Sequence, residues 1–245
     1  MIFKEISLEW YDPVDSAVMS ELLASGMSPE DCWSAARLGK WASRDFSGIA
    51  SCMTLMVERL MGRIKTSDLR RLTIQCRTCP CEERLTPGTE GMRTAILEFD
   101  PFPMLSAPDI LRKQMALDVI RRGLGVAEKA GIDVSRAIGA CDSIAAAGYE
   151  NLWVWKRSCS SRKLTAEVVV RHDTEAVEAD LLVYTSTGQM LRRALVAHEP
   201  PSEFGLYRQL GELKWDGDCV VVSSEYGFRF ELDLTQDVNR LSGDK

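Results

Sequence analysis

The sequence predicts an α+β fold, in which N-terminal helices accompany a few strands and the C-terminal part forms an antiparallel β-sheet meander. Apolar residues recur mostly at helical spacing up to residue 148 and then alternate with polar residues. The C-terminal apolar runs are joined by short turn signals such as Thr187-Gly188. Helices and strands are therefore segregated along the chain, which favours α+β over a wound parallel sheet.

The chain begins with an alternating segment, residues 2–10, which is typical of a half-buried strand. Asp12 and Ser28 each precede a proline, and a capping residue before proline is a common helix start. A third apolar stripe follows without a new proline. We therefore expect helices at residues 12–26, 28–41 and 46–64.

The rest of the helical half alternates between strand and helix patterns. Gly123 and Gly125 lie inside one helical stretch, where glycine weakens a helix. A segment rich in Pro, Gly and Thr has the composition of a loop. We expect a strand at 72–76, a loop at 78–91, an antiparallel partner strand at 94–99, a helix at 106–131 and another from Asp133 to Gly148.

The C-terminal half has short apolar runs at strand spacing. Trp153 and Trp155 share one face of the first run. The polar tail after Asp237 is expected to fray. The expected strands are 152–157, 164–172, 177–185, 189–198, 213–215, 219–222 and 228–232. We interpret 1–245 as a single α+β domain, with a mainly helical half at 1–148 and a strand-rich half at 149–235.

Composition and charge exclude several classes of function. Hydrophobic residues make up 45% of the chain, enough for a full core without metal or disulfide. The net charge of −6 argues against general nucleic-acid binding and is compatible with a basic partner. Residues 1–13 carry charges and no long apolar run, and no segment resembles a membrane span. We expect a cytoplasmic protein that binds neither nucleic acid nor membrane.

No complete catalytic motif occurs. The sequence has no G-x-S-x-G, and each histidine, His172 and His198, neighbours an acid that would point to the opposite face of a strand. The Gly123-x-Gly125 pair lacks the third glycine and the preceding strand of a dinucleotide site. We therefore expect no catalytic residues and no cofactor.

One cysteine pattern has metal-binding spacing. Cys76, Cys79 and Cys81 could supply two or three thiolates to zinc, with a fourth ligand brought only by the fold. The alternative is that these cysteines are small, reduced residues, buried as cysteine often is. A zinc-stabilised protein-interaction module is therefore one alternative function.

A second alternative is a metal-dependent hydrolase or nuclease. Glu212-x-Lys214 resembles the acid-x-lysine half of such sites, in which lysine orients the attacking water. The site would need a second carboxylate, for which Glu199 or Glu203 is available. The surrounding acidic residues would repel phosphate, which weighs against this interpretation.

Two turn regions collect acidic residues, the first without any Lys or Arg. Asp and Glu are also common in exposed turns that bind nothing. Trp215 adjoins the second region, and aromatic residues often anchor interfaces. A negative surface beside an aromatic ring would suit a basic partner. The predicted partner-binding residues are Asp173, Glu175, Glu178, Asp180, Trp215, Asp216 and Asp218.

The order of elements resembles that of the immunity proteins of bacterial polymorphic-toxin systems. The resemblance covers the strand–helix start (6–23), the middle strand and long helix (95–131), and the terminal strands around 195–197, 213–218 and 220–222. It is one of architecture, and no family motif transfers a residue role. It implies a small, non-enzymatic, often acidic inhibitor of a cognate toxin, such as a nuclease effector with a basic groove.

Overall fold

The computed structural model describes residues 1–10, 23–78, 80–160 and 163–243, and the side chains of these except at 29–44 and 241–243. The predicted α+β class is confirmed. The chain divides into two compact units, Met1–Glu150 and Asn151–Lys245, close to the expected border between the two halves. None of the helices in the described part is both long and apolar enough to cross a membrane.

The first unit combines strands with helices. Its described elements are β1 (Ile2–Phe3), β2 (Glu5–Trp10), α1 (Pro29–Met61), β3 (Ile64–Lys65), β4 (Arg71–Arg77), β5 (Arg84–Pro87), β6 (Met92–Glu98), α2 (Phe102–Leu105), α3 (Asp109–Lys129) and α4 (Ser135–Ala146). The main sheet has the strand order β2-β4-β6-β5, while β1 pairs with β3.

The core of the first unit lies on one face of this sheet. Alternate residues of β2 and β4 are buried because successive side chains of a strand point to opposite faces. Helices α1, α3 and α4 contribute many of the other buried side chains. Gly123 lets α3 approach the sheet closely, since a Cβ there would lie 2.6 Å from two carbons of Ile74. The predicted strand at 72–76 and the helix at 106–131 are thus both present.

Two expectations for the first unit are wrong. The two helices expected at 28–41 and 46–64 are a single helix, because α1 continues through Asp45. Asp45 could cap a helix, but no proline lies beside it to interrupt the backbone hydrogen bonds. Strand β6 is parallel to β4, because β5 lies in the expected loop and reverses the chain between them. The helix expected at 12–26 falls largely outside the described residues.

The second unit contains mostly strands. Its described elements are β7 (Leu152–Cys159), β8 (Thr165–His172), β9 (Val177–Tyr184), β10 (Met190–Glu199), α5 (Glu203–Gln209), β11 (Glu212–Asp216), β12 (Cys219–Ser223), β13 (Arg229–Asp233) and α6 (Thr235–Gly243). All seven expected strands are present, and all their pairings are antiparallel. They form two sheets, β7–β10 and β11–β13.

A second hydrophobic core fills this unit. Residues at every second position of β8 and β9 are buried, and the core also takes Leu206 of α5, Val220 and Val222 of β12, and Val238 of α6. The tail that was expected to fray after Asp237 is helical as far as Gly243, where its description ends, and its start is held by buried Val238 and by the Asp237–Arg192 pair at 2.8 Å. Helix α5 was not expected from the sequence.

Candidate partner-binding surface

The first acidic cluster lies at the turn between β8 and β9 and on the adjoining strand. Asp173 and Glu175 belong to the turn, where the Asp173 N–H donates to the Ala176 carbonyl oxygen at 2.8 Å. Glu178 and Asp180 alternate with core residues of β9 and therefore lie on the face opposite the core. The four predicted acids thus occupy one end and one face of the same sheet.

Two of these acids already have partners within the chain. Glu178 Oε1 lies 3.2 Å from His198 Nδ1, directly across the β9–β10 pair. Asp180 Oδ2 accepts from Arg193 Nη2 at 2.7 Å, and this hydrogen bond raises the pKa of Arg193. Side chains of the neighbouring strand β10 therefore pair with two of the four acids in this cluster.

The second acidic cluster lies at the tight turn between β11 and β12. Gly217 has φ +61°, the left-handed conformation that such turns require. Trp215 packs against the core and its indole Nε1–H donates to the Ser158 carbonyl oxygen at 3.3 Å. The Trp215 ring therefore lies on the core side of β11 next to the turn, while Asp216 lies on the outer side of the strand.

Strand pairing brings further acids to this turn. Cys219 stands opposite Asp216 on β11 and opposite Asp233 on β13. Burial raises the pKa of the Cys219 thiol, and the negative charges of four nearby carboxylates raise it further. We call these four the acidic end: Asp216, Asp218, Glu231 and Asp233.

Sequence reasoning missed the two β13 members of the acidic end. The available signal was the alternation of Arg229, Glu231 and Asp233, combined with the register across the turn at Gly227. Glu231 pairs with Arg229. Asp233 accepts from the backbone N–H and the hydroxyl of Thr235 at 2.8 and 2.6 Å, and these bonds lower its pKa. Asp216 forms no ion pair with the residues that the structure describes.

The structure does not bring the two predicted clusters together. The ring of Trp215 contacts Ser158, which stands opposite Ala166 near the start of β8. The first cluster begins after His172, six residues further along that strand. At about 3.3 Å per residue, the two ends are roughly 20 Å apart. They are therefore separate surfaces of the second unit.

A buried polar network joins β8 to α5. His172 Nδ1 lies 3.1 Å from Glu203 Oε1, and both side chains are at most 3% exposed. The Tyr207 hydroxyl donates to Glu203 Oε2 at 2.8 Å. Burial of this histidine and glutamate in the core makes the network a structural link between the sheet and the helix.

The cysteine pattern has a core residue as its first member. Cys76 is fully buried on the core face of β4, and burial raises the pKa of its thiol to about 12. Cys81 is half-buried, and Cys79 lies outside the described residues. Across the described parts of the chain, no three His, Cys, Asp or Glu side chains are grouped to hold a metal ion.

Glu212 and Lys214, the residues of the alternative hydrolase site, lie on the same exposed face of β11. Its two candidate second carboxylates are engaged elsewhere. Glu199 accepts a hydrogen bond from the Gln209 side-chain amide, and Glu203 belongs to the buried network with His172. The geometry therefore offers Glu212 a lysine neighbour but does not direct these two acids to it.

Comparison of the chain with protein-family models, with curated protein sequences and with solved structures found no match.

Proposed function

We propose that this chain is a non-enzymatic immunity or inhibitor protein of the bacterial cytoplasm, which binds and neutralises a cognate toxin. The observation that carries the proposal is the acidic end, where strand pairing gathers Asp216, Asp218, Glu231 and Asp233 around Cys219. The resemblance in element order supports the immunity class. Binding occurs through a basic surface of the toxin, such as the substrate groove of a nuclease.

Electrostatics explains why this end suits such a partner. Like charges on neighbouring strands repel one another, and the cost is removed when a basic surface arrives. Complementary charge also accelerates diffusional encounter, and salt weakens this acceleration. The first acidic cluster contributes less, since Glu178 and Asp180 face His198 and Arg193 within the chain.

The first experiment identifies the partner. The full chain is used to capture the protein encoded beside its own gene, and the affinity of the pair is then measured by titration calorimetry. Co-expression should also restore growth to cells that produce this protein as a toxin. The proposal predicts both a stable complex and growth rescue, and the absence of both would overturn it.

The second experiment locates the surface. Asp216→Asn combined with Asp218→Asn should lower the affinity at low salt by about tenfold, mainly through slower association. Asp118→Asn combined with Glu128→Gln, two exposed acids on α3, serves as the charge-matched control and should leave the affinity unchanged. Equal effects of the two double substitutions would exclude the acidic end as the binding surface.

A further inference from the structure

A groove lies in the second unit, where helix α5, strand β11 and the β12–β13 turn meet. Its volume is about 460 Å³, within the range of roughly 300–1,000 Å³ that is typical of ligand pockets. It is separate from the acidic end, which lies at the opposite end of β11. Its lining includes Lys156, Tyr207, Gly211, Glu212, Glu225 and Tyr226.

The Tyr207 wall of the groove is held in place before any ligand binds. Its ring lies against Trp155, with ring centroids 5.3 Å apart and an interplanar angle of 49°. Its hydroxyl donates to buried Glu203 at 2.8 Å. A side chain fixed at both ring and hydroxyl loses little freedom on binding, which favours affinity. The Tyr207 side chain is 49% exposed.

Backbone contacts hold the rest of the groove. A Cβ on Gly211 would lie 2.5 Å from the Ser223 carbonyl oxygen, so only glycine allows this close approach. Lys156 donates its ammonium hydrogen to the Gly211 carbonyl oxygen. The turn that carries Tyr226 is closed by the Ser224 N–H, which donates to the Phe228 carbonyl oxygen at 3.0 Å. Contacts within the fold therefore hold these lining residues in place.

The charges that line the groove favour a cationic ligand. Glu212 and Glu225 both line it, and neither forms an ion pair within the described residues of the chain. Lys156 also lines the groove and keeps its positive charge while its ammonium donates to the neutral Gly211 carbonyl oxygen, so the two carboxylates leave the lining with a net negative charge. Tyrosine ring faces attract cations, and Tyr226 is 67% exposed. Carboxylates beside aromatic rings disfavour an anionic ligand.

We propose that this groove binds a guanidinium group, the side chain of an arginine on the surface of a partner protein. A guanidinium is planar, stacks on aromatic faces and pairs with carboxylates through a fork of N–H donors, whereas an ammonium is compact and strongly hydrated. The inference rests on the proposed function only in taking the ligand to be part of a protein. An arginine of the partner would thus contact the chain at a second site, apart from the acidic end.

Peptide titration tests the groove without any toxin. The full chain is titrated with acetyl-Gly-Arg-Gly-amide, and backbone amide shifts at residues 207–212 and 223–226 are followed by NMR. The citrulline and lysine analogues are the comparison ligands, since citrulline keeps the shape of arginine without its charge. Saturable shifts with arginine, and about tenfold weaker binding of both analogues, are expected. Absent shifts, or equal binding of either analogue, would overturn the proposal.

Substitutions in exposed lining residues provide the second measurement. Glu212→Gln with Glu225→Gln should weaken arginine binding about tenfold, and Tyr226→Ala should weaken it severalfold. Thermal unfolding should show that both variants remain folded, since all three side chains are exposed. The control is Glu128→Gln on α3. Unchanged affinity in folded groove variants would reject the site, while failure of the toxin capture alone would reject only the proposed function.

Discussion

Asp180 and Asp216 both lie on the outer side of a strand, but their surroundings differ. Asp180 accepts a hydrogen bond from Arg193 across the sheet, whereas Asp216 faces Cys219 among other carboxylates. A carboxylate that is already paired gains less from a basic partner than one surrounded by like charge. At the level of single residues, aspartate on the outer side of two different strands therefore offers different interactions.

Cysteine reactivity is a prediction at the residue scale. Only thiolates react readily, and burial both blocks access and raises the thiol pKa of Cys76 to about 12 and of Cys141 to about 11. Exposed Cys159 should therefore be alkylated by iodoacetamide in the folded protein, while Cys76 and Cys141 react only after unfolding. Peptide mass spectrometry measures each site separately.

The control for this prediction is Cys159→Ser, which should remove the rapid reaction at that peptide. Alkylation of Cys76 as fast as that of Cys159 in the native protein would contradict its place in the core. It would also reopen the question of a thiolate site at Cys76 and Cys81, since a metal site needs accessible thiolates.

At the scale of elements, single residues decide how segments approach one another. Helix α3 contains two glycines only two positions apart, and only Gly123 lies against the sheet. Gly125 has open space where a Cβ would be placed. The two positions therefore separate the effect of packing from that of helix propensity within one helix.

Alanine at each glycine gives a matched pair of variants. Gly123→Ala should lower the free energy of unfolding by about 1–3 kcal/mol, because its Cβ would overlap the fully buried Ile74. Gly125→Ala should raise it by about 0.5–1 kcal/mol through better helix propensity. Urea unfolding measures both values. Equal effects would show that α3 does not pack on the sheet through Gly123.

At the scale of the whole molecule, the chain has two compact units with separate hydrophobic cores. The first core is formed by helices on one face of a mostly parallel sheet, and the second by two antiparallel sheets with two helices. Stability need not be uniform across such a chain, since cooperative units can open with different free energies.

Hydrogen exchange tests whether the two cores unfold separately. Leu72→Ala and Leu181→Ala each remove a fully buried leucine, one from each core, and each should cost about 2–5 kcal/mol. Each variant should accelerate amide exchange mainly within its own unit in mild urea. Faster exchange throughout the chain with either variant would instead support the single domain that was predicted for residues 1–245.

Much of the local structure could be predicted from the amino-acid sequence. Alternation and turn residues located the seven C-terminal strands, and apolar spacing located α3. It also located both acidic turns, because Asp and Gly favour turns whatever lies elsewhere in the chain. These features depend on neighbours within a few residues, so the sequence contains the information directly.

Contacts between distant segments decided the rest. The parallel direction of β6 follows from β5, a short strand that pairs with β6 and packs Leu85 against the first core. The acidic end needs the register of β13 on β12, and the groove needs Gly211 against Ser223. Register and charge pairing depend on which strands meet, and residue spacing along the chain does not specify this. Which acids face a basic side chain, as Asp180 faces Arg193, was settled by contacts between strands that are distant in the sequence.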